Sequence, residues 1–327
     1  MKKIIKQLVE AYGPSGHEEQ VRALIKKEIR ALADEIRTDT LGNLIAFKKG
    51  NGKGRRIMLS AHMDEIGVIV SYIDNKGFLR INPIGGVQPL YEVTGRVRFA
   101  DGTTGVIGME KQDDQSKIPV IDKLFVDVGA TGRKDCPVKV GDAACFDRQM
   151  VETGGNLIAK SMDDRIGCAV LIGVMKALKN SPHDIYFVFS VQEEVGLRGA
   201  TTSAFGILPE LGIAVDVTAC PDTPEAPHKM AVELGKGPAI KIKDAGMLAA
   251  PKIKDWMIET AERRRIPYQL EVLPFGATDA RAMQTTQSGV LSGCLSIPCR
   301  YVHSTSETVS YSDVQNAVKL LTAMLVK

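Results

Sequence analysis

Residues 56–67 read Arg-Ile-Met-Leu-Ser-Ala-His-Met-Asp-Glu-Ile-Gly, an apolar run that stops at a histidine and two carboxylates. The run has the length and texture of a buried strand. The chain on either side of it differs in kind. Upstream, residues 2–12 alternate as a helix, and the turn Gly13-Pro14-Ser15-Gly16 leads to a second helix with Val21, Leu24, Ile25, Ile29 and Leu32 on one face. Ser15 and Glu18 stand at capping-box spacing before it. Two strand-like runs, 35–40 and 43–48, then lead to the quoted stretch. Downstream, between about 67 and 154, short β-like runs at 68–73, 93–99 and 104–109 are separated by Gly, Asp and Asn turns, with no helix between them. From about 156 the alternation returns: a helix at 163–179, strands at 184–191 and 211–217, a helix at 253–264, a strand at 290–297 and a closing helix at 311–326. The pattern predicts an α/β fold whose mixed, largely parallel sheet is flanked by helices. That catalytic domain comprises residues 1–66 and 155–327, split by a small inserted all-β domain at 67–154.

Composition narrows the function. A chain of 327 residues with 44% hydrophobic and 25% charged side chains has enough apolar material for such a core. Its 42 Lys and Arg against 39 Asp and Glu leave +3, too small an excess for the basic stripe that nucleic acid requires. No run reaches the roughly 18 apolar residues that span a bilayer, and residues 1–16 lack the continuous apolar core of a secretory signal. Six cysteines, at 136, 145, 168, 220, 294 and 299, form no C-x-x-C pair and read as buried thiols in a reducing compartment. These features predict a cytoplasmic protein with neither nucleic acid nor membrane as partner.

Reactive groups in a doubly wound sheet collect beyond the carboxyl ends of its strands. Here 56–61 ends in His62-Met63-Asp64-Glu65, 184–191 in Gln192-Glu193-Glu194, and 211–215 in Asp216. The run 290–297 is followed by His303, and Ser161-Met162-Asp163-Asp164-Arg165 opens a helix. Carboxylates gathered in a protein interior repel one another and lose hydration, which costs several kcal/mol per ion. Divalent cations remove that cost, and imidazole with carboxylate is a ligand set suited to zinc, cobalt or manganese. His62, Asp163, Glu194, Asp216 and His303 are therefore candidate ligands of a two-metal site. Asp64, two residues after His62, points to the same side of an extended chain, where it can accept the other ring proton. The adjacent side chains of Glu193 and Glu194 must diverge and so take different roles. Asp163 alone would also fit a helix N-cap. His17, His183 and His228 read as exposed, and no nucleophile elbow surrounds Ser304.

Taken together, His62-Met63-Asp64-Glu65-Ile66-Gly67, Met162-Asp163-Asp164-Arg165, Gln192-Glu193-Glu194-Val195-Gly196, Val215-Asp216, Gly276-Ala277-Thr278-Asp279-Ala280 and Arg300-Tyr301-Val302-His303-Ser304 resemble, in order and spacing, the M42 family of metallo-aminopeptidases. The resemblance implies a zinc-exopeptidase-like fold that removes N-terminal residues from peptides with a free amino end. It implies two divalent metals per subunit, zinc first, with cobalt or manganese as alternatives. One would be held by His62, Asp163 and Asp216, and the other by Asp163, Glu194 and His303. Glu193 would be the general base and Asp64 the partner of His62. Residues 67–154 would be a dimerisation domain, with homodimers assembling into tetrahedral dodecamers. The family often has Asp-Asn-Arg where this chain has Asp163-Asp164-Arg165, which sets a second carboxylate beside the bridge. A related di-metal amidohydrolase, an M20-type carboxypeptidase or deacylase, would use the same ligands. A glycosidase fits poorly, because its two carboxylates must flank the bond about 5–9.5 Å apart, and Glu193 and Glu194 are sequence neighbours.

Overall fold

The computed structural model describes residues 1–326 apart from 113 and 115. Its large sheet has four parallel strands at the centre, in the order Asp184–Ser190, Arg56–His62, Leu211–Ala219 and Leu291–Arg300. Antiparallel strands complete both margins: Leu44–Lys48 and Glu35–Thr38 on one side, Glu307–Ser310, Asn156–Ala159 and Val151–Thr153 on the other. The central strands read as continuous apolar runs because both faces are covered. One face carries the helices Lys2–Glu10, Met162–Ala177 and Tyr311–Leu325, and their buried Leu8, Leu171 and Leu321 share a core with Leu59 and Phe187. The other face carries Arg198–Ile207 and Asp279–Gln284, which close over Met58 and Val188.

Register places the site. Ser190 pairs with His62, and Ala214 pairs with Ser60, which sets Asp216 level with His62 on the neighbouring strand. The chain leaves the sheet after Ile66 and forms a closed six-stranded barrel in the order Gly67–Ile73, Leu79–Ile84, Leu124–Asp127, Thr104–Met109, Arg96–Phe99, Ala143–Phe146. Val70, Ile81, Val97, Ile107, Val126 and Phe146 fill it. A short helix, Pro89–Glu92, does interrupt this segment, since Pro89 at its first position needs no N–H partner. All six cysteines are unpaired, Cys136 half-buried and the others buried. Among the described residues no helix is long and apolar enough to cross a membrane.

Exit from and return to the sheet are locked by charge. Glu65 accepts hydrogen bonds from Lys160 Nζ at 2.5 Å, Arg165 Nη2 at 3.2 Å and Gly13 N–H at 3.1 Å, and also from Ser161 Oγ. Arg165, fully buried, also donates to the carbonyls of Leu8 at 2.7 Å and Gly13 at 3.1 Å. Each charge meets an opposite one or a carbonyl dipole, the condition under which buried ions are tolerated.

Glu92 has no such partner. It is buried, and neither carboxylate oxygen has a hydrogen bond. Burial raises its pKa to about 8 from an ordinary 4.5. The folded chain thus keeps this proton up to about pH 8, whereas the unfolded chain loses it near 4.5, so folding stability should fall as pH rises between those values. Glu92→Gln, neutral throughout, should remove that fall and stabilise the protein above pH 8 by roughly 1–3 kcal/mol. Urea melts of both proteins at pH 5 and pH 9 check this; an equal pH dependence in the two would refute it.

Candidate metal centre

All five candidate ligands, with Glu193, line one cavity of about 680 Å³ at the carboxyl end of the parallel strands. Asp64 lies behind His62, fully buried. Asp163 is central. Its Oδ1 stands 2.9 Å from His62 Nε2, and its Oδ2 stands 3.5 Å from His303 Nε2. The two oxygens of one carboxylate thus face two different imidazoles. On the first side Asp216 Oδ1 is 4.0 Å from His62 Nε2; on the second, Glu194 Oε2 is 3.3 Å from His303 Nε2. Ligand atoms on a tetrahedral zinc stand roughly 3.3–3.6 Å apart, and the distances on the second side lie in that range. Glu194 Oε1 is buried with no hydrogen-bond partner, a lone pair suited to a cation. His62, Asp163 and Glu194 offer ligand atoms mutually within 4.8 Å, as do His62, Asp164 and Asp216. The donor set fits divalent cations on both sides, and the spacing fits zinc on the second, while on the first the 2.9 and 4.0 Å distances straddle that range.

Tight local backbone presents these side chains. Ser161, Gln192, Tyr301 and His303 all adopt left-handed φ values between 55° and 61°, each at a candidate ligand or within two residues of one. Non-glycine residues there cost about 1–2 kcal/mol and persist where surrounding bonds hold them. Such bonds are present. Buried Glu307 accepts from the N–H of Asp163 at 3.0 Å and of His303 at 2.8 Å, tying both ligand loops together. Asp164 accepts from the N–H of His62 at 3.2 Å and of Gly167 at 3.0 Å, and Cys168 Sγ donates to the His62 carbonyl. The Asp164 carboxylate thus pins the end of the Arg56–His62 strand to the Met162–Ala177 helix. His62 Nδ1 faces the Asp64 main-chain oxygen at 3.2 Å and its carboxylate at 3.4 Å, which leaves Nε2 toward the cavity.

Other contributors are invisible to spacing. Gly86, in the bend after the barrel strand Leu79–Ile84, accepts from His303 Nδ1 at 3.0 Å through its carbonyl, and a Cβ there would lie 2.6 Å from that nitrogen. A Cβ on Gly85 would press on Glu194 at 3.1 Å. The Gly-Gly pair is the only sequence signal of this close approach. Asp279 Oδ2 accepts from Ser60 at 2.6 Å and Ser190 at 2.5 Å, bracing two central strands next to His62. Glu18 and Ser15 do not cap the helix Glu19–Ile29, which has no side-chain cap; Ser15 donates to Asp64 at 2.6 Å instead. His228, exposed as expected, nevertheless lines the cavity, while His17 and His183 are half-buried elsewhere.

Crowding sets the charges. Burial raises the pKa of Glu193, an effect His62 opposes and Asp216 and Glu194 reinforce. Burial would lower His303, but Glu194 and Asp163 outweigh it and push its pKa up to about 12. His62 is likewise held protonated, against burial, by Glu193, Asp163 and Asp64. Asp163 is held low, despite burial, by the two imidazoles. The ring protons thus balance the carboxylates, and an entering cation would take over that task.

The family model described as M42 glutamyl aminopeptidase matches residues 42–320. A putative aminopeptidase of Acetivibrio thermocellus is 49% identical, the match covering 97% of this chain and 96% of the relative. Among solved structures, an aminopeptidase from the archaeon Desulfurococcus kamchatkensis superimposes with a TM-score of 0.96 at 40% identity, over 99% of this chain and 94% of that one. The TET1 peptidase of Pyrococcus horikoshii, which can assemble into a tetrahedron or a large octahedral shell, does so with 0.90 at 32% identity, over 100% and 99%.

Proposed function

The chain belongs to the M42 family of aminopeptidases, and from that premise we propose that it hydrolyses N-terminal residues from peptides as a two-metal enzyme, in which Asp163 would help to hold both cations and Glu193 acts as general base. The observation that carries this reading is the division of the Asp163 carboxylate between His62 and His303. His62, Asp163 and Asp216 would hold one cation, and Asp163, Glu194 and His303 the other. Bound there, the cations would lower the pKa of a water from about 16 toward neutrality and polarise the scissile carbonyl. Glu193 Oε2, 3.9 Å from His62 Nε2 and lining the cavity, accepts the water's proton and hands it to the leaving amine. Asp64 holds the His62 ring from behind. Zinc is the first candidate metal, with cobalt and manganese also compatible.

Residues 1–66 and 155–327 then form the catalytic unit and 67–154 a dimerisation unit. Exposed Tyr91, Val106, Ile118 and Val120 supply the apolar surface for that contact. Assembly onward to a tetrahedral dodecamer would parallel the TET1 peptidase.

The test is a panel of aminoacyl-p-nitroanilides on chelated protein reconstituted with each metal. Leucyl-p-nitroanilide should be cleaved only after reconstitution, and its N-acetyl form not at all; a deacylase or carboxypeptidase would reverse or ignore that preference. Arg281, exposed on the cavity wall and without an ion pair among the described residues, disfavours a cationic side chain. Lysyl-p-nitroanilide should therefore turn over at least about tenfold more slowly than the leucyl compound. No metal-dependent cleavage of any member would end the proposal.

A further inference from the structure

The sequence Gly13-Pro14-Ser15-Gly16-His17-Glu18 has the spacing of a helix cap and caps nothing. Its polar side chains reach inward. Ser15, 8% exposed, donates Oγ to Asp64 Oδ2 at 2.6 Å. Glu18, 2% exposed, accepts through Oε1 from the N–H of Gly16 at 2.7 Å and of Gln192 at 3.2 Å. Asp64 accepts from the next two amides, Glu193 N–H at 3.0 Å on Oδ1 and Glu194 N–H at 3.2 Å on Oδ2. Three consecutive amides of the turn that carries Glu193 are thus held by two buried carboxylates. One of these belongs to the N-terminal turn and the other is oriented by it. Gln192 sits in the left-handed region, so this turn would relax if released. The N-terminal turn is itself anchored, since Gly13 donates to Glu65 at 3.1 Å and accepts from Arg165 at 3.1 Å.

We propose that Ser15 and Glu18 are positioning residues for hydrolysis: together with Asp64 they fix the Gln192–Glu194 backbone and so aim the Glu193 carboxylate at the reacting water. This rests on the assignment of Glu193 as base. Neither side chain lines the cavity, so at equal metal loading their loss should appear in kcat rather than in KM. A reacting group displaced by about 1 Å loses up to about 10²-fold in rate.

The experiment compares kcat and KM on leucyl-p-nitroanilide for metal-loaded Ser15→Ala, Glu18→Ala and Glu18→Asp, in the wild-type and in the Glu193→Gln background. In the wild-type background kcat should fall about 10- to 100-fold with KM within about twofold. Ser15→Thr, which keeps the hydroxyl, and Glu18→Gln, whose amide oxygen still accepts, should recover most of the rate. In the Glu193→Gln background the same substitutions should change kcat by less than about threefold, because the group they aim is gone. Equal losses in both backgrounds, losses that follow metal content without rescue, or no loss at all would overturn the inference. A Glu193→Gln enzyme as fast as wild type would instead overturn the base assignment. Should Glu18→Ala not fold, Glu18→Asp, which keeps the charge and withdraws it by one methylene, carries the same comparison.

Discussion

Glu193→Gln should lower kcat by about 10³-fold while leaving the metal content and the melting temperature of the wild type. Glutamine preserves the volume and the hydrogen bond from Glu193 N–H to Asp64, which is made by the main chain. What it removes is a carboxylate that burial keeps avid for a proton. Asp163 is engaged by both imidazoles and Asp64 by Ser15 and two amides. Glu194→Gln should behave oppositely. Its Oε2 stands 3.3 Å from His303 and its Oε1 has no other partner, so that substitution should release metal before it affects chemistry. Metal analysis by mass spectrometry beside steady-state kinetics separates the two. Near wild-type turnover by Glu193→Gln, or metal loss from it alone, would contradict the assignment.

The contrast between these neighbours shows what the sequence could convey. Apolar runs that end in charged residues locate strand ends, because a strand's interior rejects charge while its carboxyl end opens on the site. His62, Glu193, Glu194 and His303 were legible for that reason. Asp216 was legible as a carboxylate within the apolar run Ile213 to Val217, but only the pairing of Ala214 with Ser60 sets it level with His62. Groups that act through the backbone leave no such trace. The Gly86 carbonyl on His303 and the Glu307 carboxylate on the Asp163 amide are tertiary contacts between segments more than a hundred residues apart. Ser15 and Glu18 misled because a capping box and a long-range clamp use the same residue types at the same spacing. The helix Arg198–Ile207 escaped notice since its Gly, Thr and Ser residues favour helix weakly and blur its apolar face.

Asp163→Ala should have the largest effect of any single substitution, a loss of at least about 10⁴ in kcat/KM, or more than about 5 kcal/mol of barrier. Removing either imidazole leaves three of the proposed donors around the opposite cation or two around its own. Removing Asp163 takes a donor from both at once. It also frees two imidazoles that the carboxylate now holds charged, His303 with a pKa pushed up to about 12 after burial is outweighed by Glu194 and Asp163. Without Asp163 that pKa should fall, which by itself would ease ligation by the ring, but the site also loses a negative charge and a donor to each cation, and that loss should dominate. Metal titrations followed by calorimetry should therefore show two ions per wild-type subunit and at most one, weakly held, in Asp163→Ala. Protons should leave the wild type on binding, because imidazoles must be neutral to ligate, and apparent affinity should decline as pH falls from 8 to 6. Two tight sites in Asp163→Ala would show that the carboxylate is not shared. A binding curve insensitive to pH would show that His62 and His303 are not the donors. The candidate site joins a carboxylate that follows the barrel in sequence to an imidazole, His62, that precedes it, and a third contact, the Gly86 carbonyl, comes from the loop after the barrel strand Leu79–Ile84.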